Sequence, residues 1–231
     1  MKPFSVEIYS DTVCPWCYIS KRNIDAALEY YKQAYPNERQ PEVQWMPFQL
    51  HPDLPPEGVP REQFMKQRTD SGDNPAEGRA RLLRAAARVN RTCDFDRIRV
   101  QPNTLNAHRL TRYAARQGVA DQVAERLFAA FFRHGENISD PAVLCAIGAE
   151  VGLDRNAIAA YLASDEDMDW VREADAHAKE VGVSTIPFLV FNDRKGVSAI
   201  QEPEALVELL QWARRDAARP SWLPRLFGRR F

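Results

Sequence analysis

The sequence predicts an α/β fold in which a small sheet uses both ends of the chain and a long helical region lies between them. Residues 5–10 alternate polar and apolar side chains, as in a half-buried strand. Residues 188–191 form a continuous apolar run, as expected for a buried strand. Apolar residues recur at helical spacing through most of residues 61–181. With 231 residues, 45% of them hydrophobic, the chain can form one domain with an insertion or two closely packed domains.

The first predicted strand leads directly into a Cys-x-x-Cys motif. Cys14 and Cys17 enclose Pro15 and Trp16, and apolar residues then recur at helical spacing as far as Pro36. Cys14 therefore stands where a helix begins, with a proline in the favoured first helical position. Free backbone N–H groups and the positive end of the helix dipole stabilise a thiolate over a thiol at that place.

This spacing predicts a pair of cysteines that cycles between dithiol and disulfide. We expect Cys14 to be the nucleophile that forms a mixed disulfide with a partner thiol. Cys17 lies one helical turn further on and is expected to be more buried, and it resolves that mixed disulfide. Pro15 and Trp16 restrict the loop and place an aromatic ring beside the sulfur, so we assign them to substrate binding.

Zinc binding and a purely structural role are the alternatives for this motif. Structural zinc needs four ligands, which usually include a second short-spaced pair of Cys or His. Cys93 and Cys145 are isolated, and the four histidines form no short-spaced pair. We therefore predict redox chemistry and no metal site. Cys145 lies in an apolar helical stretch and is expected to be an inert buried thiol, whereas Cys93 is structural or a sensor.

Ile186 and Pro187 stand immediately before the apolar run near the other end of the chain. Proline is tolerated as the first residue of a strand, and a bond that precedes proline is the only peptide bond that is readily cis. A plain trans proline that ends a loop is the alternative interpretation.

The remaining elements follow from the same periodicities. Residues 43–48 predict a second strand, and residues 50–60 predict a loop that leads into the helical region. A tight turn at 193–196 and a hairpin partner at 197–200 follow the apolar strand, and a last helix begins at Pro203 and ends near Arg215. Further helices are predicted near 61–69, 75–90, 104–117, 120–133, 140–151, 154–163 and 166–181.

Three stretches of the sequence resemble the FrnE-like group of DsbA-family oxidoreductases. They are DTVCPWCYI at 11–19, PFQLHP at 47–52 and PNTLNAHR at 102–109. That group is similar in turn to 2-hydroxychromene-2-carboxylate isomerases and kappa-class glutathione transferases. The resemblance extends to about residue 215 and implies an α/β thioredoxin fold with a large inserted α-helical domain.

The resemblance also implies how the chain is divided. Residues 1–50 and 182–217 are expected to form a discontinuous thioredoxin-fold domain, residues 51–181 the inserted helical domain, and residues 218–231 a basic C-terminal tail. In the family, the proline before the apolar strand is cis and packs against the redox pair, which gives that role to Pro187. The backbone of Ile186 is then expected to offer strand-like hydrogen bonds to an extended substrate.

Three polar residues are weaker candidates for the pocket. Asp11 either tunes the nearby thiol through its negative charge, raising its pKa, or only accepts loop N–H bonds. The related isomerases and transferases place a stretch like 102–109 near their glutathione site, which makes Asn103 and His108 candidates for lining the pocket. Asn103 or Thr104 is also a suitable helix N-cap, and a lone histidine is more often a satisfied core residue.

The arginines at 81, 84, 88 and 91 share one face of the predicted 75–90 helix. An anionic substrate is one explanation for this face. The preferred interpretation is a solvated surface, or pairing with the acidic residues of the 165–175 region.

Composition and targeting signals restrict the partners. A net charge of −1 argues against a dedicated nucleic-acid binder, and no stretch approaches the ~20 apolar residues of a transmembrane helix. Residues 1–7 run straight into the first strand without a signal-peptide pattern, so we expect a cytoplasmic protein. In that compartment a cysteine pair is more often catalytic than structural.

These observations predict a thiol–disulfide oxidoreductase that acts on protein or small-thiol substrates. Glutathione is one thiol partner that fits, and no bound cofactor is expected. Two alternatives stay open: a glutathione-dependent isomerase or transferase, whose hallmark is a serine at the first site position, and a non-catalytic binding or chaperone module. The sequence predicts neither the direction of the redox reaction nor the oligomeric state.

Overall fold

A four-stranded mixed sheet organises the computed structural model, which describes residues 4–70 and 75–217. The strands of the protein are β1 Ser5–Ser10, β2 Glu42–Pro47, β3 Val59–Pro60, β4 Val100–Gln101, β5 Phe188–Phe191 and β6 Lys195–Ser198. The sheet has the order β2-β1-β5-β6, in which β1 is parallel to β2 and antiparallel to β5. β6 is antiparallel to β5, while β3 and β4 form a separate small ribbon.

Helices account for most of the other described residues. They are α1 Pro15–Ala34, α2 Arg61–Asp70, α3 Pro75–Arg88, α4 Leu105–Ala115, α5 Ala120–Ala129, α6 Pro141–Glu150, α7 Arg155–Ala163, α8 Met168–Glu180 and α9 Pro203–Ala217. Because α2 to α8 all lie between β2 and β5 in the chain, the predicted α/β class with a helical region between the sheet segments is confirmed. The predicted domain boundaries remain predictions.

Alternation along β1 separates two hydrophobic cores. Val6 and Ile8 pack with Phe4 on the side of the sheet that α1 and α9 cover. Tyr9 points to the opposite side and packs with β2, β5 and α8 residues. This period of two is the geometric consequence of an extended backbone, and it places the end of β1 between the two cores.

Helix α1 ties the sheet to the helical region. Ile24 packs in the core of the sheet, whereas Tyr18, near the start of the helix, is fully buried among residues of the helical region. The Tyr18 ring stacks on Phe132 at 5.2 Å between centroids and contacts Phe128 at 5.8 Å. Aromatic pairs at such distances stabilise beyond the area they bury, so the start of α1 is held firmly in place.

Two predicted element boundaries are wrong. The hairpin turn comes earlier than predicted, because Asn192 and Asp193 both adopt a left-handed backbone (φ 55°) that these residue types tolerate, and β6 therefore begins at Lys195. The helix predicted over 120–133 changes at Ala129 into a π-helical turn, Ala130–His134. Gly135 then ends it with φ 68°, where an added Cβ would lie 2.5 Å from the backbone of Arg97.

The predicted basic tail at 218–231 lies outside the described residues. Within residues 4–70 and 75–217, no helix is long and apolar enough to cross a membrane.

Candidate active site

Cys14 is the N-cap of α1, and its sulfur faces the first turn of that helix. The Cys17 backbone N–H donates to the Cys14 Sγ at 3.4 Å. Pro15 occupies the start of the helix, and the first turn contains no acidic side chain that would oppose a thiolate. The Cys14 N–H in turn donates to the Asp11 carbonyl at 3.0 Å, which fixes the loop before the helix. This arrangement gives a negative sulfur a hydrogen bond and the positive end of the helix dipole.

Cys17 lies in a different electrostatic environment. Burial raises the pKa of its thiol well above the ordinary value, and the adjacent Cys14 adds to this rise. The Ser10 hydroxyl and the Asp11 backbone act in the opposite direction and lower it. Exposure hardly separates the two cysteines, at 4% for Cys14 and 3% for Cys17, so the expected difference in burial is small. Their hydrogen-bonding environments distinguish them instead.

The segment before β5 reaches Cys14. The Ile186–Pro187 peptide bond is cis, as the resemblance implies. The Cys14 Sγ lies 3.9 Å from the Ile186 carbonyl oxygen, which is a long hydrogen-bond distance for a thiol donor. Pro187 is buried, and its carbonyl accepts the Ala199 N–H at 3.0 Å. The structure therefore brings together the Cys-x-x-Cys motif and the Ile-Pro pair, which are separated by 172 positions.

Trp16 and helix α3 form the rim of the site. Trp16 is half-buried, and the Arg81 guanidinium lies over its ring at 5.2 Å from the centroid. Arg84 and Arg88 are exposed, as the solvated interpretation of this face expects. Arg91 instead forms an ion pair with Glu125 on α5.

The arginine face of α3 and the acidic 165–175 region do not form the predicted ion pairs with each other in the described residues. Glu166 and Asp167 in that region form ion pairs with Arg116, at the end of α4.

Asp11 joins the three stretches that carry the family resemblance. It is fully buried, and its Oδ2 accepts the Leu50 N–H at 2.8 Å. Its Oδ1 lies 3.5 Å from the His108 Nε2. Leu50 belongs to the stretch at 47–52 and His108 to the stretch at 102–109, so one carboxylate connects both to the stretch that holds the Cys-x-x-Cys motif. Of the two interpretations of Asp11, acceptance of a loop N–H is the one seen directly.

Asn103 uses its side chain to hold neighbouring backbone. Its Nδ2 donates to the carbonyl oxygens of Leu54 at 2.7 Å and Pro52 at 3.3 Å, and its Oδ1 accepts the Leu105 N–H at 2.9 Å. Thr104 is the N-cap of α4 by position but makes no capping hydrogen bond with its side chain. Asn103 therefore performs the capping and also attaches the loop after β2 to α4.

The other cysteines lie apart from this arrangement. Cys145 is buried in α6 within the core of the helical region, and burial raises the pKa of its thiol. Cys93 is half-buried, and burial raises the pKa of its thiol to about 11. All four cysteines are free thiols. In the described residues, no group of three or more Cys, His, Asp or Glu side chains could hold a metal ion.

Sequence reasoning missed several polar residues around His108. Ser10, Thr12, Trp45 and Trp170 line a small cavity together with His108. Ser10 and Thr12 flank Asp11, which is the signal that could have singled them out. The two tryptophans come from β2 and α8, and no local pattern connects them with the redox motif.

Comparison with known proteins places this arrangement in a family. The model of the DSBA-like thioredoxin domain matches residues 5–211. The chain is 27% identical over 193 residues to the uncharacterized protein YwbO of Bacillus subtilis. The match covers 81% of this chain and 86% of YwbO. The crystal structure of a probable DsbA oxidoreductase, SCO1869 of Streptomyces coelicolor, superimposes with a TM-score of 0.79 and 26% identity, covering 96% of this chain and 94% of that one.

A more distant structure shares the fold. It is the cytosolic disulfide reductase DsbM of Pseudomonas aeruginosa with GSH, at a TM-score of 0.65 and 17% identity, covering 91% of this chain and 99% of DsbM. These matches confirm the predicted resemblance and the thioredoxin fold with its inserted helical region.

Proposed function

Since the chain belongs to the family of DSBA-like thioredoxin domains, we propose that it is a thiol–disulfide oxidoreductase that cycles Cys14 and Cys17 between dithiol and disulfide. The observation that carries this proposal is the position of the Cys14 sulfur. It accepts the Cys17 N–H at a helix start and lies 3.9 Å from the carbonyl that precedes the cis proline. A sulfur held there lies at the start of a helix and borders a backbone segment able to receive an extended substrate.

The reaction has two exchange steps. The Cys14 thiolate attacks one sulfur of a substrate disulfide, so that a Cys14–substrate bond forms and the substrate's other sulfur leaves as a thiolate. Cys17 then loses its proton and attacks the Cys14 sulfur, which forms the Cys14–Cys17 disulfide and releases the second substrate sulfur as a thiolate. The substrate gains two electrons and the protein loses them. The same steps in reverse oxidise a dithiol substrate.

The substrates of this reaction are protein thiols or small thiols. Pro15, Trp16, Ile186 and Pro187 form the contact surface in this proposal, with the Ile186 backbone pairing with an extended chain. Glutathione is the small-thiol partner we propose, in line with the GSH that the DsbM structure contains. A cytoplasmic location is part of the same proposal, as in the cytosolic reductase that shares the fold.

Equilibration in glutathione buffers of graded redox potential tests the proposal. We expect one reversible two-electron transition, with the Cys14–Cys17 disulfide located by peptide mapping and a potential within the roughly −270 to −120 mV span of this fold. Cys14→Ser and Cys17→Ser should each abolish the transition, whereas Cys145→Ser should leave it intact. If Cys14 and Cys17 form no disulfide anywhere in the range, the oxidoreductase proposal is wrong. Glutathione-dependent isomerisation then becomes the next activity to assay.

A further inference from the structure

A small polar cavity lies against the loop that leads into the redox motif. Its volume is about 20 Å³, which is enough for one water molecule. Five of its polar lining residues come from four parts of the chain: Ser10 and Thr12 around the end of β1, Trp45 from β2, His108 from α4 and Trp170 from α8.

Each of these five side chains presents to its surroundings a buried polar atom with no hydrogen-bond partner in the described part of the chain. The atoms are Ser10 Oγ, Thr12 Oγ1, Trp45 Nε1, His108 Nε2 and Trp170 Nε1. Leaving such a group without a partner costs ~1–3 kcal/mol, so a cluster of them calls for an explanation. Indole N–H groups only donate, whereas hydroxyls and imidazole also accept. One water in the cavity can join both kinds of group.

Ser10 connects the cavity with the resolving cysteine. It lines the cavity, is 5% exposed, and its hydroxyl lowers the pKa of the Cys17 thiol. Cys17 must lose a proton before it can attack the mixed disulfide, and burial opposes that loss. A buried thiol of this kind needs a nearby proton acceptor.

His108 is the titratable side chain among the cavity-lining residues. The Asp11 carboxylate faces it at 3.5 Å and is itself fixed by the Leu50 N–H. This contact holds the imidazole at the edge of the cavity. Helix α5 contributes only apolar side chains to the cavity lining, and the Arg112 guanidinium of α4 lies over the Trp170 ring at 4.2 Å from its centroid.

The charge of Asp11 also acts on a second histidine. Burial lowers the pKa of His51, and the negative charge of Asp11 opposes this change.

We propose that His108, oriented by Asp11, accepts the proton of Cys17 through the Ser10 hydroxyl and one cavity water when Cys17 resolves the mixed disulfide. This inference rests on the proposed function, because it assigns a proton path to the second exchange step. In that step the Cys17–Cys14 bond forms and the Cys14–substrate bond breaks. The Cys17 proton passes to Ser10, the Ser10 proton to the water, and a water proton to His108. The substrate leaves as a thiolate, and His108 later returns its proton to that thiolate or to solvent.

Stopped-flow reaction of the reduced protein with excess DTNB separates the two steps. Attack by Cys14 releases one coloured thiolate at a rate that depends on DTNB concentration, and resolution by Cys17 releases a second at a rate that does not. Cys17→Ser gives the first phase and the background from Cys93 and Cys145. We expect His108→Gln and Ser10→Ala to slow the second phase ~10- to 100-fold while the first stays within about twofold of wild type.

The pH dependence of the second phase distinguishes proton transfer from a structural effect. His108→Gln should remove the part of the wild-type pH profile that the histidine produces, whereas His177→Gln, the same change on α8 away from the cavity, should keep the profile unchanged. If His108→Gln does not fold, proton transfer is tested by Ser10→Ala and by the solvent deuterium isotope effect on the wild-type second phase. The proposal predicts a slower second phase in deuterium oxide.

The outcomes separate this inference from the function on which it rests. A wild-type protein that releases no second thiolate contradicts the oxidoreductase proposal itself. Normal resolution in wild type, with both variants within about twofold of it, overturns the proton path alone. Equal slowing of both phases also overturns it, because a path that serves Cys17 leaves the attack by Cys14 unchanged.

Discussion

Two neighbouring residues of α4 face regions of opposite character. Arg109 points toward the connection between α7 and α8, is fully buried, and places its donors on five oxygen acceptors. His108 points toward the redox motif, is also buried, and its Nε2 makes no hydrogen bond of normal geometry in the described residues. Complete pairing is what a structural polar group needs, whereas groups that handle protons must keep capacity for a changing partner. The polar contacts of Arg109 are therefore satisfied, whereas several buried polar atoms around Asp11 and the neighbouring cavity have no partner in the described residues.

The largest effect should come from Arg109 on the satisfied side. Arg109→Lys removes the planar fork that reaches the carbonyl oxygens of Tyr161 at 2.8 Å and Ser164 at 2.7 Å. Lysine cannot satisfy all of these acceptors, so we expect the free energy of unfolding to fall by roughly 3 kcal/mol in urea denaturation. The matched change Arg126→Lys, at the more exposed pair with Glu150, should cost under about 0.5 kcal/mol.

Redox measurements on Arg109→Lys test whether the two sides of α4 are independent of each other. The glutathione equilibrium of Cys14 and Cys17 should match that of wild type at a temperature where the variant is folded. A shifted equilibrium would mean that the two sides of α4 are not separate.

A second effect should come from Glu7 on β1, a half-buried carboxyl of the sheet. Burial raises its pKa from 4.5 to about 7, the charge of Asp193 adds to this, and a hydrogen bond from Tyr9 opposes it. The folded state therefore holds a proton that the unfolded chain has lost between these two pH values. The contribution of protonated Glu7 to the free energy of unfolding is therefore fully present below about pH 4.5 and is lost as the pH rises to about 7.

Glu7→Gln should remove this decline. The free energy of unfolding of the variant minus that of wild type should be about 2–3 kcal/mol larger at pH 8 than at pH 4. Urea denaturation across this pH range measures the effect, with Glu42→Gln on the exposed edge of β2 as the control. Parallel stability curves for wild type and Glu7→Gln would show that Glu7 ionises normally in the fold.

Asn103 should give the smallest effect. Its substitution distinguishes a structural polar group, like Arg109, from a residue that lines the pocket. Asn103→Ala removes the hydrogen bonds to Leu54 and Leu105, which should lower the free energy of unfolding by about 1–2 kcal/mol. Thermal unfolding measures this loss, and calorimetric titration with glutathione measures any loss of binding. Weaker glutathione binding with unchanged stability would assign Asn103 to the pocket instead of to the structural clamp.

The parts of the site that depend on neighbouring residues in the sequence could be predicted from the sequence. A strand that runs into Cys-Pro-Trp-Cys and a helix determines the place of Cys14 at the helix start, because a proline in the first turn and the apolar spacing specify that start. The Ile-Pro pair before an apolar strand could be placed opposite it only through family resemblance. Spacing alone does not tell which face of a sheet a residue 172 positions away approaches.

The features that escaped prediction depend on tertiary contacts. Strands β3 and β4 have two residues each, and neither is stable without the other. The hairpin turn was misplaced because Arg194, Lys195 and Gly196 read as a turn by composition, whereas Asn192 and Asp193 take the left-handed conformation. The cavity near His108 needs Trp45 and Trp170 from two distant elements, and its unpartnered atoms are visible only once the chain has folded.

Trapping of the mixed disulfide tests whether Cys14 is the attacking cysteine and Cys17 the resolving one. Reduced Cys17→Ser protein is mixed with oxidised glutathione, and the modified cysteine is identified by mass spectrometry of its peptides. We expect one glutathione on Cys14 in this variant and no lasting adduct in wild type, where Cys17 displaces it to form the intramolecular disulfide. An adduct on Cys93 with Cys14 unmodified, or a stable Cys14 adduct in the wild-type protein, would contradict it.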